Sequence, residues 1–439
     1  MAGGTFESHN KVRPGAYFNV RSESVSASGE GVRGVVTMPI VADFGPVKEV
    51  IEVNSGTNFD QLFGEGLASD NLRLVGEALK GAATALLYRV NGGEKATGEL
   101  ASGINVTATH GGKLGNNIRV AVRANVDNEA VFDVLTYLNS NLVDAQEAVA
   151  MAEDLVDNAL VAFSGTGALT VTAGVTLSGG ATEEATSGDY ADYLEAISVY
   201  EFNSMAITVE EESTKVAAAN FVKRMRDDEG QKVNVFVGQH AGGHEAVNNF
   251  GINGVVLADG TILTPEQTTA YFAGASAAAG VNESLTYHAY PGAVDVHPRL
   301  KSSEITEALK RGEMVMTLHK GQVVLEQDIN SLIEFTIQKN QNFRKNRVLR
   351  VLDAIQNDSK EVFLSNFVGR VDNHEDGRGL FKANRVAYFN NLQAIGAIEE
   401  FTAEDITIRA GEGKDEVVMD FAVKPVDAME KLYGTVKVQ

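Results

Sequence analysis

The sequence contains no cysteine and no tryptophan, and only 7 prolines and 8 histidines in 439 residues. Without cysteine there is no disulfide, no thiolate metal site and no cysteine nucleophile, so packing and strand pairing alone must hold the chain together. Basic residues are also scarce: 37 Lys and Arg stand against 59 Asp and Glu, a net charge of −22. That balance argues against nucleic acid or an anionic membrane as the main partner. No stretch approaches the ~20 apolar residues that span a bilayer; the longest smooth run, 270–281, is broken by Gly274 and Gly280. The opening residues carry no basic segment followed by an apolar run, so a soluble protein of a reducing compartment, without a secretory leader, is expected. Hydrophobic residues make up 44% of the chain, enough for a large core. At roughly 100–200 residues per domain the length points to two to four domains.

Catalytic motifs are missing as well. Gly112-Lys113 is followed by Leu114, and no glycine stands five residues before Gly112, so no Walker A loop exists. The run Gly111-Gly112-Lys113-Leu114-Gly115 lies between two strand patterns and reads as a turn. His244-Glu245 opens like a zincin helix, but position 248 is Asn, and Gly242-Gly243 between His240 and His244 discourages a helix. The segment Asp372 to Gly377 resembles the start of a calcium loop, yet its third position is His374 and its twelfth is Ala383. There is no G-x-S-x-G elbow. We expect no catalytic residue, no cofactor and no metal.

The arrangement along the chain is more informative. From Phe335 to the end 15 basic residues nearly balance 16 acidic ones, so the first 334 residues carry a net −21. This is either ordinary variation between domains or an acidic, water-facing part joined to a neutral part buried in an assembly. Val35–Ala42 and Ala85–Val90 read as strands flanking a helix over Asn71–Lys80. Between Lys95 and Gly180 the period is two: Ile104, Val106 and Ala108 share a face, as do Ile118, Val120 and Val122, and Leu169, Val171 and Ala173. With turns at Gly111-Gly112 and Gly179-Gly180, the spacing predicts an inserted β-sandwich, interrupted by a helix over Asp144–Leu155. Beyond it strands and helices alternate. Ala206–Val209, Val233–Val237, Leu285–Tyr290 and Met314–His319 read as strands. Ser213 is expected to cap a helix through Arg226, Thr264-Pro265 opens a second and Ser303–Arg311 is a third. That alternation implies an α/β sheet covered by helices.

Two further features concern assembly. Both ends are written as strands: Ala16 to Val20, and Lys431 to Gln439, where Leu432, Val436 and Val438 share one face. Terminal strands must pair with something; either each closes an edge of its own sheet, or it is donated to another subunit. The second feature is basic. Lys339 to Arg350 holds five positive residues and no negative one, with Val348, Leu349, Leu352 and Ile355 on one helical face and Arg344, Arg347 and Arg350 beside them. This is a solvated face or a docking surface for an acidic partner.

The run from Phe343 to Asp353, the pair Gly369 to Asn373 and Asp376 to Arg378, and the ending Pro425 to Tyr433 resemble the sheath proteins of contractile phage tails, specifically the group of defective prophages and tailocins of Gram-positive bacteria. The resemblance spans the chain, and is most specific over the last hundred residues and Pro14–Val20.

The resemblance implies an α/β, subtilisin-like domain without a protease triad, an inserted β-sandwich, and an α+β C-terminal domain completed by strand exchange. The implied partition is 1–22 for an N-terminal arm, 23–94 and 183–334 for the α/β domain, 95–182 for the sandwich, 335–422 for the assembly domain and 423–439 for a C-terminal arm. Tyr17, Phe18, Val20, Val426, Leu432, Tyr433, Val436 and Val438 become interface residues of the arms. Arg344, Arg347 and Arg350 are expected to face a tail tube. The implied partners are further copies in stacked hexameric rings, a tube protein, a baseplate and a tail terminator, with no nucleic acid contact and no membrane insertion. Such a particle, phage tail or tailocin, would assemble in a bacterial host's cytoplasm. A hydrolase on the α/β domain is the competing class, and an exported surface-layer subunit a third.

Overall fold

The computed structural model describes residues 3–4, 16–17, 33–101 and 103–438. Gly3–Gly4 and Ala16–Tyr17 pair in parallel. Phe18 and Val20, named above for the N-terminal arm, lie outside the described residues.

The chain divides into two units, and the larger comprises 32–357 with 395–399 and 424–439. Its centre is a seven-stranded sheet in the order Glu313–Met314, Val247–Phe250, Asn234–Gly238, Ser204–Ala206, Val35–Ile40, Thr84–Arg89, Val50–Val53. All neighbours are parallel except the last pair. Parallel strands need crossover helices, and these cover both faces. Val36, Met38, Ala85, Leu87, Phe236 and Phe250 point to the side of helix Pro265–Ala278. Leu86, Tyr88, Met205, Val235, Val237 and Val247 point to helices Ser187–Ile197 and Glu212–Asp227. The two-residue period thus feeds two cores from one sheet. Helix Pro265–Ala278 begins as its sequence specifies: Thr264 Oγ1 accepts the Gln267 N–H at 3.3 Å, and Gln267 Oε1 accepts the Thr264 N–H at 3.0 Å.

The sandwich follows the alternation. One sheet has the order Asn141–Val149, Phe132–Leu138, Ile118–Ala124, Thr172–Thr176, the other Val161–Ser164, Ile104–Ala108, Thr97–Ala101. Ile104, Val106, Ala108, Ile118, Val120 and Val122 all enter their shared core. At the far tip the turn after Ala124 is knit by Asn125 Oδ1, which accepts the N–H groups of Asp127 and Asn128 at 3.0 and 3.1 Å.

Several local expectations are corrected. The helix expected over Asp144–Leu155 is the edge strand Asn141–Val149, because cross-strand pairing to Phe132–Leu138 overrides the helical propensity of its Ala, Gln and Glu residues. Leu169 is buried but Val171 is exposed; the core face is continued by Val175 of strand Thr172–Thr176 and by Leu177 just past its end. Leu285–Tyr290 is no regular strand. Tyr287 sits at φ +59°, although its N–H and that of Tyr290 still bond to Leu325 and Val323. Met314–His319 is split at Val315 between the large sheet and a hairpin with Gln322–Leu325. The helix assigned to Ser213 starts at Glu212, and the Ser213 hydroxyl donates to Glu211 at 2.7 Å.

The sandwich joins the α/β layer through a neck of buried polar contacts. Arg89 has no exposed surface, and its guanidinium donates to the carbonyls of Gly45 at 2.7 Å and Gly111 at 3.0 Å. Burial pulls its pKa down to about 10, so it remains charged at neutral pH. Asn91 grips the Ala42 backbone twice, at 2.9 Å each way. Asp43 accepts from Thr182 at 2.8 Å, Asn71 at 3.0 Å and Lys113 at 3.0 Å. Burial pushes the Asp43 carboxyl up, but the bonds from Lys113, Thr182 and Asn71 outweigh it and hold it below its usual range. Gly112 lies at φ +138°, where a Cβ would meet the Asp43 carbonyl at 1.9 Å; the turn read from sequence is a backbone-to-backbone contact that no larger residue fits.

Among the described residues the smaller unit comprises 3–4, 16–17, 358–394 and 400–423. Helix Asn346–Val362 passes into it, ends in a π-helical turn at Phe363–Phe367 and is followed by helix Glu375–Ala394. Phe363, Phe367 and Phe381 form one aromatic cluster, with centroids 4.8 to 6.3 Å apart. Phe389 packs on Phe401 and Phe421 at 4.8 and 5.3 Å. A hairpin, Ile406–Ala410 with Val417–Phe421, leans Ile408, Val417 and Met419 on the first cluster.

Two predictions follow from the neck. Arg89→Met is expected to cost on the order of 3 kcal/mol in chemical unfolding, since two buried carbonyls lose a charged donor. His110, edge-on to Phe44 at 5.3 Å, is held down to about 4 by burial and by the charges of Arg89 and Lys95. Its native pKa lies below its unfolded value of about 6.5. Stability is therefore complete above that pH and falls as pH drops toward 4. Denaturant midpoints between pH 7 and 4.5 should decline, and less steeply in His110→Gln.

Candidate functional site

Among the described residues no group of three or more His, Asp or Glu side chains could hold a metal ion. The His and Gly motifs have structural partners. His240 Nδ1 lies 2.7 Å from Glu212, and His244 Nδ1 accepts the Ala246 N–H at 3.1 Å. Asp372–Gly377 forms a helix start, with the Gly377 N–H donating to His374 Nδ1 at 2.9 Å. A cavity of about 540 Å³ borders the C-terminal ends of the parallel strands, lined by Glu210, Lys215, Gln239, Thr264, Glu266 and His297 among others. Its buried charges neutralise each other, Lys215 to Glu266 at 3.0 Å, and the Thr264 hydroxyl is occupied as a helix cap. Nothing there pairs a nucleophile with a base.

The basic segment places its charges on its own chain. It is a 3₁₀ turn at Gln341–Arg344 followed by the helix from Asn346, not one continuous helix from Lys339. Its apolar face docks as expected: Val348, Leu349 and Ile355 are buried and Leu352 partly so. Asp353 fixes the same helix through a two-pronged pair with Arg226, 2.7 Å on each prong. Arg344 donates to the Leu309 carbonyl. Arg347 donates to the carbonyls of Asn282 at 2.8 Å, Gly396 at 3.4 Å and Val426. Arg350 donates to the Glu283 carbonyl at 2.5 Å and lies 3.5 Å from Asp328. Burial lowers the pKa of Arg344 and of Arg347, as a guanidinium bonded to neutral carbonyls should show. Lys339 pairs with Glu245 at 2.5 Å and Lys345 with Glu430.

Two of these side chains, Arg347 and Lys345, reach the chain's last segment. Lys424–Pro425 pairs antiparallel with Ile398–Glu399, and the Val426 N–H continues the ladder to Ala397 at 3.0 Å. Glu430 is the last gripped residue: Gln327 donates to it at 2.5 Å and Thr286 at 3.0 Å, beside the Lys345 ammonium. Beyond it the chain from Lys431 to Val438 is exposed throughout. Leu432, Tyr433, Val436 and Val438 retain 96, 89, 90 and 94% of their accessible surface. Val426 is half-buried in the gripped stretch. Of the N-terminal residues named from sequence, Tyr17 falls in the short parallel pair with Gly3–Gly4. The sequence reading missed Glu430, Gln327 and Thr286. Glu430 stands 85 residues from Lys345, and no local spacing announces such a pair.

Comparison with known proteins places these elements in context. Four family models match in succession: tail sheath protein Gp18 domain III N-terminal region at 33–90, phage tail sheath protein beta-sandwich domain at 91–182, phage tail sheath protein central domain at 183–331 and phage tail sheath C-terminal domain at 338–439. The chain is 38% identical over 467 residues to the phage-like element PBSX protein XkdK of Bacillus subtilis (strain 168), covering all of both. It is 41% identical to the sheath tail protein of Desulfitobacterium hafniense, with a TM-score of 0.84 over 97% of this chain and 100% of that one. It also shares its fold with the helical sheath of the anti-feeding prophage in its contracted state, at 14% identity and a TM-score of 0.59 over 98% of this chain and 100% of that one.

The grip on the last segment is directly measurable. Arg347→Met removes three donors to backbone carbonyls and should raise hydrogen exchange at the Val426 amide at least tenfold, with amides in the seven-stranded sheet unchanged.

Proposed function

Because this chain belongs to the phage tail sheath protein family, we propose that it is the repeating subunit of a contractile sheath, which stacks as sixfold rings around a tail tube and shortens to drive that tube through a cell envelope. It is a structural protein, as its family implies, and the residues that line the cavity at the strand ends offer the hydrolase reading no nucleophile paired with a base. The observation that carries the proposal is the segment Lys431–Val438, an alternating strand sequence with its apolar side chains in water. An extended segment leaves its amide and carbonyl groups to solvent until another strand takes them up. Donated to a neighbour, eight residues would form about four backbone bonds on one side, roughly 2–6 kcal/mol in all.

The acceptor in this reading is the hairpin Ile406–Ala410 with Val417–Phe421 of a second copy. A two-stranded hairpin is marginal by itself, and added strands would complete the α+β assembly domain. The N-terminal arm, through Tyr17, Phe18 and Val20, would add to the same sheet. The proposed partition keeps 1–22 and 423–439 as arms, 95–182 as the sandwich, 335–422 as the assembly domain, and 23–94 with 183–334 as a subtilisin-like α/β domain. For Arg344, Arg347 and Arg350 we propose a positioning role in place of direct tube contact, since their guanidiniums are committed to carbonyls of this chain. The tube, a baseplate and a terminator would meet other surfaces of the sheath, in a phage tail or tailocin built in the host cytoplasm. Stored assembly energy, not a nucleotide, would drive contraction.

Removing residues 431–439 tests the proposal. The truncated chain should keep the unfolding profile of the full chain yet form no hollow cylinders in negative-stain electron microscopy. Cylinders of normal appearance from the truncated chain would overturn it.

A further inference from the structure

The last seven gripped residues, 424–430, are held at several points, and the next eight are held at none that the structure shows. Val426 is fixed by its own amide to Ala397 and by Arg347 on its carbonyl. Glu430 is fixed by Lys345 from the start of helix Asn346–Val362, by Gln327, and by Thr286 from the irregular stretch that follows Leu285. Asp427 adds a second carboxylate 3.9 Å from Lys345. Three segments far apart in sequence thus meet at one side chain. Two of its partners, Gln327 and Thr286, carry no charge, so the site is shaped for a carboxylate and not merely attracted to one.

We propose that Glu430 and the groups around it form a clasp that sets the root of the donated arm, making Lys345 and Glu430 positioning residues for strand exchange with a second copy of this chain. The proposal rests on the strand-exchange reading above and adds to it where the arm begins. A fixed root at Glu430 limits the free strand to Lys431–Val438, about 26 Å at ~3.3 Å per residue. Opening the clasp back to Val426, which its own amide and Arg347 still hold, would free four further residues and lengthen the tether by half. Effective concentration at the acceptor falls roughly as the −3/2 power of tether length, so this lengthening costs about twofold per arm, before any loss of direction. The clasp therefore acts on assembly and not on the folding of the subunit. In keeping with this, burial pushes the Glu430 carboxyl up while Lys345 and Gln327 outweigh it, so the group stays ionised below its usual range. The five positive charges from Lys339 to Arg350, which the sequence offers as a docking face, include the residues that hold this root.

The experiment is a charge exchange. Lys345→Glu and Glu430→Lys, each alone, should raise the concentration needed for sheath polymerisation about twofold or more, speed exchange at the amides of 427–430, and leave the denaturant midpoint of the unassembled chain unchanged. Together, Lys345→Glu with Glu430→Lys should recover most of the polymerisation. Should a charge reversal unfold the chain, Glu430→Gln, which keeps the bonds to Gln327 and Thr286 in reach, takes its place and should show the same rise on a smaller scale. Single variants that polymerise as the parent does, or a double variant no better than the worse single one, overturn the clasp. The truncation at 431 separates the two failures. If it still assembles, strand exchange itself is wrong; if it does not while the single variants assemble normally, only the clasp is wrong.

Discussion

Backbone amides and carbonyls that leave their own fold must find partners elsewhere, and the end of this chain is organised around that requirement. Lys424, Pro425 and Val426 still find them, in Ile398–Glu399 and Ala397. After Glu430 the chain supplies none that the structure shows, while Leu432, Tyr433, Val436 and Val438 hold apolar surface in water. In the proposed assembly a neighbouring copy takes up this exposed stretch. Burial of four such side chains, at about 1.5–3 kcal/mol each when complete, exceeds the backbone bonds in size. In the proposed assembly both terms are gained together and depend on the same register.

The charges behave differently from what their positions in sequence invite. A row of arginines at three-residue spacing reads as a surface, because spacing shows which residues share a helix face but not what lies opposite. In the structure their partners are mainly carbonyls, at Asn282, Glu283, Leu309, Gly396 and Val426, with one carboxylate, Asp328, beside Arg350. The carbonyls are invisible to a search for acidic partners, since every residue has one. The structure uses guanidinium as a multidentate fastener of irregular backbone, a role suited to its five donors.

Much of the fold was legible. Alternation at Ile104, Val106 and Ala108 and at Ile118, Val120 and Val122 identified the sandwich core, because those strands are buried on one face only. Thr264-Pro265 marked a helix start to the residue, since the cap is a local hydrogen bond. The errors fall where long-range contacts decide. Asn141–Val149 is an edge strand open to water, so its composition was free to look helical. Leu285–Tyr290 runs beside Gln322–Leu325 but turns out of strand geometry at Tyr287. Of the candidate site, the alternation over Lys431–Val438 is plain in the sequence, whereas the contacts that hold Glu430 depend on residues 85 to 144 positions away.

Because Gly112 touches the Asp43 backbone and Arg89 ties Gly45 to Gly111, the sandwich is welded to its sheet with no slack for extra atoms. Its far tip, where Asn125 closes a turn around an exposed Val126, has no such restriction. A foreign peptide grafted at that tip would ride as rigid cargo, displayed once per subunit, while the same graft at the neck would pry the two layers apart.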